Sequence, residues 1–459
     1  MPIATVNPAT GETLRKFEEL TGAELEQKLQ RAQDAFRQLR VLPLEARTAA
    51  LRQAADILDA EEDRLADLIT LEMGKIRPQA LAEVRKSAYG LRFYADHAAE
   101  FLAPRPLANP EAVNADEAYS VYQPLGPVLA VMPWNFPLWQ VIRFAAPAIA
   151  AGNAGLLKHA SNVPQSALFL EELFSRTDLP DGSFQTLLIS AGRVESVIRD
   201  ERVTAVTLTG SEPAGRAVAA VAGDEIKKSV LELGGSDPFI VQPSADLDKA
   251  VEIAVAARTS NNGQACINAK RFIVHNDIHD AFVEKLTGRF EGLVVGDPAA
   301  EGTDIGPLAL ESGRQDVHEL VEDARTAGAR IITGGTVPEG AGWFYPPTIV
   351  ADVPEAARLY REEVFGPVAI VLRSSSLDDA IAIANDVPFG LGATAWTSDA
   401  GEQEQLINEL EAASVTLNDY TVSFPELPFG GIKRSGYGRE LSAEGIREFA
   451  NLKAVRIRA

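Results

Sequence analysis

The segment Gly126-Pro-Val-Leu-Ala-Val-Met132 is short and apolar, and it opens a series of similar runs that alternate with helical sequence. Its strand candidate is Val128–Met132, and the later candidates are Ala154–Leu157, Thr186–Ile189, Thr204–Leu208 and Ser229–Leu233. Alternation of strands and helices in units of roughly 25 to 35 residues is typical of βαβ crossovers. Together with the later runs, this segment therefore predicts a mostly parallel sheet.

A second series of strands and helices follows, from Phe239 to about Leu417. Its strand candidates are Arg271–Val274, Thr348–Val350 and Val368–Leu372. At 459 residues the chain exceeds the size at which one hydrophobic core keeps growing, so two or three domains are expected. The predicted fold class is α/β, with two parallel-sheet domains of similar class.

The first part of the chain has a helical pattern of apolar residues. Thr21 and Glu24 have the spacing of a capping box, and later helices are predicted to begin near Pro43 and near Gln79. Residues 104–121 are rich in Pro, Asn and Ala, which predicts a crossing loop or an exposed hairpin at a domain boundary.

Charge and hydropathy exclude several classes of partner. The formal net charge is −22, and the Lys and Arg residues are scattered among acidic ones, so we expect no nucleic-acid partner. Residues 1–7 lack the basic and apolar regions of a leader, and no apolar run reaches the ~18 residues of a membrane span. We expect no membrane partner and a cytoplasmic location.

The chain has one cysteine, Cys266, which excludes an internal disulfide and a multi-cysteine metal site. We predict no metal. Cys266 ends the polar, glycine-containing stretch Asn261–Cys266, and such a loop presents a thiol beside backbone N–H groups that favour the thiolate. The residues alone leave two interpretations open, a reactive thiol, which the polar neighbours favour, and a small buried hydrophobic residue.

Three further segments follow strand candidates. Glu232 lies at a strand's carboxyl end, where ligands gather in open α/β sheets, and is a candidate general base. The turn at 209–215 lies where phosphate-binding turns occur, and Asn135, in Pro133-Trp-Asn-Phe-Pro137, is a candidate oxyanion donor. Each also has a structural interpretation: a solvated carboxylate, a tight turn, and an Asn bonded to its own backbone.

In order and spacing these segments resemble the aldehyde dehydrogenase superfamily across essentially the whole chain. The matching segments are Pro133–Pro137, Gly210-Ser211, Glu232-Leu-Gly-Gly235, Gly263-Gln-Ala-Cys266, Glu363-Val-Phe-Gly-Pro367 and Pro428-Phe-Gly-Gly431. The resemblance implies two Rossmann-like domains, one for the cofactor and one for catalysis, and a small β element that joins subunits into a homodimer or homotetramer.

The resemblance also implies domain boundaries. The cofactor-binding domain comprises residues 1–104 and 122–233, the catalytic domain residues 234–433, and the oligomerisation element residues 105–121 and 451–459, while residues 434–450 return to the cofactor domain.

The resemblance implies a role for each site residue. Cys266 attacks the aldehyde carbon, Asn135 and the Cys266 N–H stabilise the oxyanion, and Glu232 deprotonates the water that hydrolyses the thioester. The residues expected to contact the cofactor are Trp134, Lys158, Gly210, Ser211, Glu363 and Phe365. Ser211 is also expected to cap the helix that follows it.

Cofactor choice is predicted from the position three residues after Lys158. NAD-preferring relatives often carry Glu there to hold the ribose 2′-hydroxyl, whereas this chain has Ser161. A serine hydroxyl can donate to a 2′-phosphate and Lys158 supplies positive charge, so we predict that NADP is preferred, with NAD as the alternative cofactor. His159 is expected as a second phosphate contact.

The substrate is predicted from Arg143, which lies in the otherwise apolar segment 138–144 that lines the substrate funnel in this superfamily. It lies eight residues after Asn135, the spacing found in succinate-semialdehyde dehydrogenases. The chain therefore most resembles that subfamily, especially its shorter bacterial members. A buried guanidinium needs a partner. It is either a clamp for a carboxylate at the substrate's far end or half of a structural salt bridge.

One departure from the longer members concerns Ser260, where they often carry a second arginine. The carboxylate contact is then expected to involve the hydroxyls of Tyr420 and Ser423, and Trp139 is expected to line the same site. Succinate semialdehyde is the predicted substrate.

Three alternatives stand beside this prediction. An aliphatic or aromatic aldehyde is the substrate if Arg143 is structural. A catalytically silent structural or binding protein is disfavoured because Cys266, Glu232 and Asn135 are all present, and transfer to a CoA thiol is disfavoured because Glu232 supplies a base for water.

Overall fold

A computed structural model describes residues 2–458. The helices are α1 Gly22–Leu39, α2 Leu44–Ala60, α3 Glu62–Met73, α4 Arg77–Phe101, α5 Trp139–Ala151, α6 Pro164–Ser175, α7 Val194–Arg199, α8 Glu212–Asp224, α9 Leu247–Thr259, α10 Asn276–Glu291, α11 Glu311–Thr326, α12 Arg358–Arg361, α13 Leu377–Asn385, α14 Ala400–Glu409 and α15 Ser442–Glu448.

The strands are β1 Ala4–Asn7, β2 Glu12–Lys16, β3 Arg105–Pro106, β4 Glu117–Pro124, β5 Pro127–Met132, β6 Ala154–His159, β7 Phe184–Thr186, β8 Ala205–Thr209, β9 Lys228–Glu232, β10 Asp237–Val241, β11 Ala269–His275, β12 Arg330–Thr333, β13 Thr348–Ala351, β14 Val368–Ser374, β15 Phe389–Gly390, β16 Gly392–Trp396, β17 Ser414–Leu417, β18 Ile432–Lys433, β19 Gly436–Tyr437 and β20 Ala450–Ile457.

The first large sheet has the strand order β19-β9-β8-β5-β6-β7, and its strands are parallel except β19. Successive residues of β5 point into different hydrophobic clusters. Val128 and Ala130 pack with α4 and α5, whereas Leu129 packs with α1 and α7. Because helices cover both faces, a parallel strand such as β5 is apolar throughout, as its sequence predicts.

The second large sheet has the strand order β12-β13-β14-β11-β10-β16-β17 and is parallel except for β12. The chain passes from β9 in the first sheet to β10 in the second through residues 233–236 only. The carboxyl end of β9 therefore lies beside the amino end of β10, and a cleft forms between the two sheets. The two sheets confirm the predicted α/β class.

A third sheet, β20-β4-β3, is antiparallel and pairs the end of the chain with residues 117–124. Residues 104–121 form β3, a 3₁₀ turn at Pro110–Val113 and the first part of β4, so the predicted hairpin exists. The domain roles and the oligomerisation role remain predictions. Met1 and Ala459, which the predicted boundaries include, lie outside the described residues.

The capping box at Thr21 is confirmed: its hydroxyl accepts the Glu24 N–H, and the Glu24 carboxylate accepts the Thr21 N–H. The strand predicted at Thr186–Ile189 is wrong beyond its first residue. The Leu187 N–H still donates to Leu157 O, but the Ile189 N–H turns back to Leu187 O, so pairing with β6 stops there.

Two helix starts are also clarified. The helix predicted near Gln79 begins at Arg77, with Pro78 in its first turn, where a missing N–H costs no helical bond. The helix predicted near Pro43 has Pro43 as its N-cap residue, so this prediction is confirmed. The helix α3 was not predicted as a separate element.

Among residues 2–458, no helix has both the length and the apolar composition needed to cross a membrane. Within the same residues, His, Cys, Asp and Glu side chains form no group of three or more suited to hold a metal ion.

Candidate active site

The ends of four parallel strands bring the predicted site residues of the first sheet together. Met132 pairs with His159 at the ends of β5 and β6, and Thr209 pairs with Glu232 at the ends of β8 and β9. The loops after these strands therefore leave the same edge of the sheet. They carry Trp134, Asn135, Ser161, Gly210 and Ser211.

The second sheet contributes residues that precede its strands, at the amino-terminal edge of that sheet. Cys266 lies three residues before β11, and Glu363 and Phe365 lie shortly before β14. The two edges enclose a cavity of about 270 Å³. Its lining residues are Pro133, Trp134, Asn135, Gln140, Thr209, Gly210, Ser211, Glu232, Leu233, Gly234, Cys266, Glu363 and Phe365.

The loop that carries Cys266 has three consecutive left-handed residues. Asn261, Asn262 and Gly263 have φ values of 57°, 56° and 75°. Asn and Gly tolerate this conformation better than other residues. A Cβ on Gly263 would lie 2.4 Å from the carbonyl carbon of Gly366, so the close approach also requires glycine.

Hydrogen bonds from distant segments hold this loop. Asn262 Nδ2 donates to Gly74 O at 2.8 Å and to Pro307 O at 3.0 Å, and its Oδ1 accepts the Gly306 N–H at 2.9 Å. Gln79 Oε1 accepts the Asn261 N–H at 2.7 Å. The surrounding structure therefore fixes a backbone that would otherwise be strained.

Asn135 is 3% exposed and lies beside this loop. Its Nδ2 donates one hydrogen bond to Gln264 O at 2.9 Å, which fixes the amide orientation. An amide nitrogen carries two hydrogens, so one remains for an anion in the cavity. Asn135 and Cys266 line the same cavity, as an oxyanion site requires.

The thiol of Cys266 is protonated at neutral pH in this environment. Burial raises its pKa to about 12, although the nearby Lys270 ammonium opposes the shift. Lys270 is fully buried, and its Nζ donates to the carbonyl oxygens of Ala265 and Cys266 and lies 3.3 Å from Glu363 Oε1. Nucleophilic attack therefore requires a group that accepts the thiol proton.

Glu232 is a buried carboxylate whose two oxygens accept no hydrogen bond from residues 2–458. Burial raises its pKa well above the usual range, and the nearby Glu440 carboxylate raises it further, while Arg143 and Arg439 lower it. A carboxyl group with a raised pKa in a cavity is suited to general base catalysis near neutral pH.

On the side where a cofactor is expected, near the end of β6, lies an unpaired cation. Lys158 is buried, burial lowers its pKa, and within residues 2–458 it forms no ion pair, although Glu19 lies near enough to oppose the shift. The Ser161 side chain is partly exposed nearby in sequence. The rings of Trp134 and Phe365 meet edge to face with centroids 5.7 Å apart.

Glu363 is held on this side by the backbone. Its Oε1 accepts the Gly235 N–H at 3.2 Å, and its Oε2 lies only 2.2 Å from where a Cβ on Gly234 would stand. The glycine pair of the Glu232–Gly235 motif thus lets this carboxylate approach the turn after β9. The arrangement fits a cofactor that carries hydroxyl groups to bond Glu363 and phosphates to meet Lys158.

Two expectations for this side are wrong. His159 Nε2 donates to Pro137 O at 2.9 Å and its Nδ1 accepts the Ala160 N–H at 2.9 Å, so neither ring nitrogen is free for a phosphate. Burial lowers its pKa to about 4, and the ring is neutral. Ser211 occupies the N-cap position of α8, but its hydroxyl makes no capping hydrogen bond.

A second cavity, of about 140 Å³, meets the other side of Cys266. It contains all four residues predicted to contact the substrate, Trp139, Arg143, Tyr420 and Ser423, and also Ser260. The remaining lining residues are Lys86, Phe136, Gln140, Ala265, Ile267, Asn268, Thr421, Val422 and Phe429. Its volume lies below the ~300 Å³ at which pockets for drug-sized ligands begin, so it fits a small molecule.

Arg143 has the partner that its burial requires. Its guanidinium forms an ion pair with the Glu440 carboxylate, and Phe429 lies under the guanidinium carbon at 4.6 Å from the ring centroid. Both charged side chains are buried. The charge of Arg143 is thus already balanced within the protein.

Sequence reasoning missed Lys86, Lys270 and Glu440. Lys86 is one of several charged residues of the long helix α4, so its place in the sequence does not indicate a site. Glu440 reaches the site only because the chain returns to the first sheet after β18. Lys270 offered a signal, because it and Arg271 are adjacent charged residues at the start of a strand whose next residues, Phe272–Val274, are apolar.

The chain is similar to known proteins along almost its whole length. The aldehyde dehydrogenase family model matches residues 1–455. Succinate-semialdehyde dehydrogenase (NADP+) 1 of Mycobacterium ulcerans is 59% identical over 456 residues, 99% of each chain. Succinate-semialdehyde dehydrogenase (NADP+) of Mycolicibacterium paratuberculosis is 58% identical over 99% of this chain and 96% of its own.

A similar solved structure is succinic semialdehyde dehydrogenase from Streptococcus pyogenes in complex with NADP+. Its TM-score is 0.96 at 39% identity, and the match covers 100% of both chains.

Proposed function

Because the chain belongs to the aldehyde dehydrogenase family, we propose that it oxidises succinate semialdehyde to succinate with NADP as the cofactor. The observation that carries the proposal is that Cys266 lines two cavities. One also contains Asn135 and Glu232, and the other is small and contains Lys86 and Arg143. The names of relatives that match over the whole chain support both the substrate and the cofactor.

NADP, when bound, would accept a hydride from the substrate carbon. Lys158 and Ser161 would hold the ribose and its 2′-phosphate, because the lysine has no acidic partner and no carboxylate replaces Ser161 to repel a phosphate. Gly210 and Ser211 would approach the pyrophosphate at the start of α8, whose backbone N–H groups favour anions. Glu363, Phe365 and Trp134 would hold the nicotinamide end.

The residues of this chain would perform the first half of the reaction as follows. A water molecule accepts the Cys266 thiol proton, and the Cys266 sulfur bonds to the aldehyde carbon. The carbonyl oxygen becomes an oxyanion that accepts hydrogen bonds from Asn135 Nδ2 and the Cys266 N–H. Loss of hydride from this carbon leaves a thioester on Cys266.

Glu232 would perform the second half. Its carboxylate takes a proton from water, the water oxygen bonds to the thioester carbon, and the carbon–sulfur bond breaks. Succinate leaves, and the proton that Glu232 took from water passes to the Cys266 thiolate. This role requires Glu232 to be ionised, so its raised pKa predicts activity that increases with pH.

A second candidate is oxidation of an uncharged aldehyde, and the ion pair between Arg143 and Glu440 favours it. If Arg143 serves only that pair, it does not bind a carboxylate. The two candidates share Cys266, Glu232 and Asn135, and differ only in the second cavity.

The test is a comparison of kcat/KM for succinate semialdehyde, glutarate semialdehyde and hexanal, each with NADP and with NAD. We expect the highest value for succinate semialdehyde with NADP. Equal or higher values for hexanal would favour the second candidate, and a preference for NAD of about tenfold or more would refute the cofactor assignment.

We further propose that the sheet β20-β4-β3 joins subunits into a homodimer or homotetramer. Leu452 and Ile457 on β20 are 50% and 44% exposed, and Leu107, directly after β3, is 45% exposed. An exposed sheet edge pairs readily with another chain. Sedimentation analysis tests this: Leu452→Glu should shift the protein towards smaller species. A wild-type protein that sediments as a monomer would contradict it.

A further inference from the structure

Lys270 is a buried lysine that the proposed reaction does not use. It lies in β11, and its side chain is fully buried. The pairing of β10 with β11 skips it, because Ala269 pairs with Asp237 and the next residue of β10 pairs with Arg271. An extra residue of this kind re-aims its side chain relative to a regular strand, and such irregularities are common beside active sites.

Three oxygen atoms surround the ammonium of Lys270, which has three hydrogens to donate. Its Nζ donates to Ala265 O at 3.2 Å and to Cys266 O, and it lies 3.3 Å from Glu363 Oε1. The two carbonyls belong to the candidate nucleophile and the residue before it, and the carboxylate is the one expected to bind the cofactor. One buried charge therefore contacts both the loop that carries the thiol and the loop that carries Glu363.

The contact with Lys270 leaves one oxygen of Glu363 free. Its Oε1 accepts the Gly235 N–H at 3.2 Å and faces Lys270, whereas among residues 2–458 no group donates a hydrogen bond to its Oε2. Glu363 lines the cavity of about 270 Å³ that also contains Cys266. The protein thus fixes Oε1, and Oε2 is available to accept a hydrogen bond from a ligand in that cavity.

Both charges of this cluster act on the thiol. Burial is the largest cause of the raised pKa of Cys266, the Lys270 ammonium lowers that pKa, and the Glu363 carboxylate raises it. Arg143 also lowers the thiol pKa, and Asp237 also raises it. A ligand hydroxyl that donates to Glu363 offsets part of its negative charge, so the positive charge of Lys270 acts more strongly on the thiol.

We propose that Lys270 is a positioning residue that links the cofactor site to the nucleophile. It holds the backbone at Cys266 and the carboxylate of Glu363 in one buried ionic cluster, so that each site depends on the other. The link to the cofactor rests on the proposed function, because it requires a cofactor that bonds to Glu363. The effect on the thiol requires no cofactor and is tested separately.

The first test is the rate of alkylation of Cys266 by iodoacetamide at pH 9 without cofactor, measured by mass spectrometry. Lys270→Met removes the ammonium and keeps a similar chain length, so we expect alkylation to be about tenfold slower or more, because less thiolate forms. Glu363→Gln removes the opposing charge, so we expect alkylation to be about three- to tenfold faster. A loop that is only loosened would react faster in both variants, so changes of equal sign, or no change, would refute the inference.

Arg271→Met is the matched control. Arg271 is the next residue of β11 and is also a fully buried cation. Its guanidinium donates instead to the carbonyl oxygens of Ser236, Ile383 and Ala384. Its removal should lower the thermal stability and leave the alkylation rate within about twofold of wild type. Slowing equal to that in Lys270→Met would refute the inference, because the effect would then follow from packing.

The second test is the dissociation constant of NADPH, measured by its fluorescence, in both single variants and in the double variant Lys270→Met/Glu363→Gln. We expect each single variant to bind NADPH on the order of tenfold more weakly, because Glu363 either is removed or loses its fixed position. If Lys270 acts through Glu363, the double variant should match Glu363→Gln within about twofold. Two independent effects would instead multiply to about 100-fold, and this result would refute the link.

The outcomes separate this inference from the proposed function. If wild type binds no NADPH, the proposed cofactor and the link to it are refuted, whereas the alkylation rates still decide the role of Lys270 at the thiol. If wild type and Glu363→Gln bind NADPH equally well, the link is refuted and the proposed function stands. If Lys270→Met does not fold, Glu363→Gln decides alone: faster alkylation together with weaker NADPH binding supports the inference, and any other result refutes it.

Discussion

Arg143 and Glu440 form a buried ion pair, and both side chains act electrostatically on the candidate general base, Glu232. Burial is the largest cause of the raised pKa of Glu232, the Glu440 carboxylate raises it further, and the Arg143 guanidinium lowers it. An arginine that was expected to hold the substrate therefore lies where it stabilises two adjacent carboxylates. Such pairs are costly to break, because the partner left behind is a buried, unpaired charge.

Arg143→Ala should shift the acid limb of the kcat profile to higher pH. The Arg143 charge lowers the pKa of Glu232, and loss of a nearby cation raises a carboxyl pKa by about one to three pH units, so less Glu232 is ionised at pH 7. Profiles of kcat for succinate semialdehyde and its methyl ester should shift together, with circular dichroism as the control for folding. A variant that loses activity only with the charged substrate, at an unchanged pH profile, would instead make Arg143 the carboxylate clamp.

Glu232→Gln should separate the two halves of the reaction. The glutamine has nearly the same size but accepts no proton from water, so we expect the thioester to form and then to persist. Rapid mixing should show about one equivalent of NADPH per site, followed by steady-state turnover lowered on the order of 10²- to 10⁴-fold. Absence of the burst together with a fall in steady-state rate would mean that Glu232 acts before or during hydride transfer.

Ser161→Glu should reverse the cofactor preference. A carboxylate at this position repels a 2′-phosphate and accepts a hydrogen bond from a 2′-hydroxyl, so the ratio of kcat/KM for NADP to that for NAD should fall on the order of 100-fold. Ser161→Ala is the control, since it removes only the hydroxyl and should change the ratio much less. An unchanged ratio in Ser161→Glu would place the 2′-phosphate elsewhere.

Alkylation of Cys266 in the absence of cofactor should be slow and strongly dependent on pH. With a pKa of about 12, only about one thiol in ten thousand is ionised at pH 8. The rate with iodoacetamide should therefore increase about tenfold per pH unit between pH 7 and 10, measured by mass spectrometry. The assay is unambiguous because the chain has one cysteine, and a plateau below pH 9 would show that the thiolate is stabilised more than burial allows.

The residues that sequence reasoning placed in the site share one property. Asn135, Glu232 and Cys266 each lie in a short segment at the end or start of a strand, and the edges of parallel sheets bring such segments together whatever the details of packing. Strand order alone places Asn135 and Glu232 at one edge of the first sheet. That Cys266, from the second sheet, joins them was implied only by the family resemblance, and the chemical roles of all three remain proposals.

The residues that were missed depend on packing between distant segments. Lys86 reaches the cavity because α4 packs against α5, and Glu440 because the chain returns to the first sheet after β18. A partner for Arg143 was expected from the cost of burying its charge, but nothing near it in sequence identifies Glu440. His159 was wrongly expected to contact a phosphate because it follows Lys158 in sequence. Its ring instead bonds to the Pro137 carbonyl inside the protein.

The most direct test of the account is the formation of NADPH, followed by its absorbance, when succinate semialdehyde and NADP are added to wild type and to Cys266→Ala. The account predicts one NADPH per succinate formed in wild type and none in Cys266→Ala, whose fold should be unchanged by circular dichroism. Turnover by Cys266→Ala comparable to that of wild type, or none by wild type with any aldehyde, would contradict it.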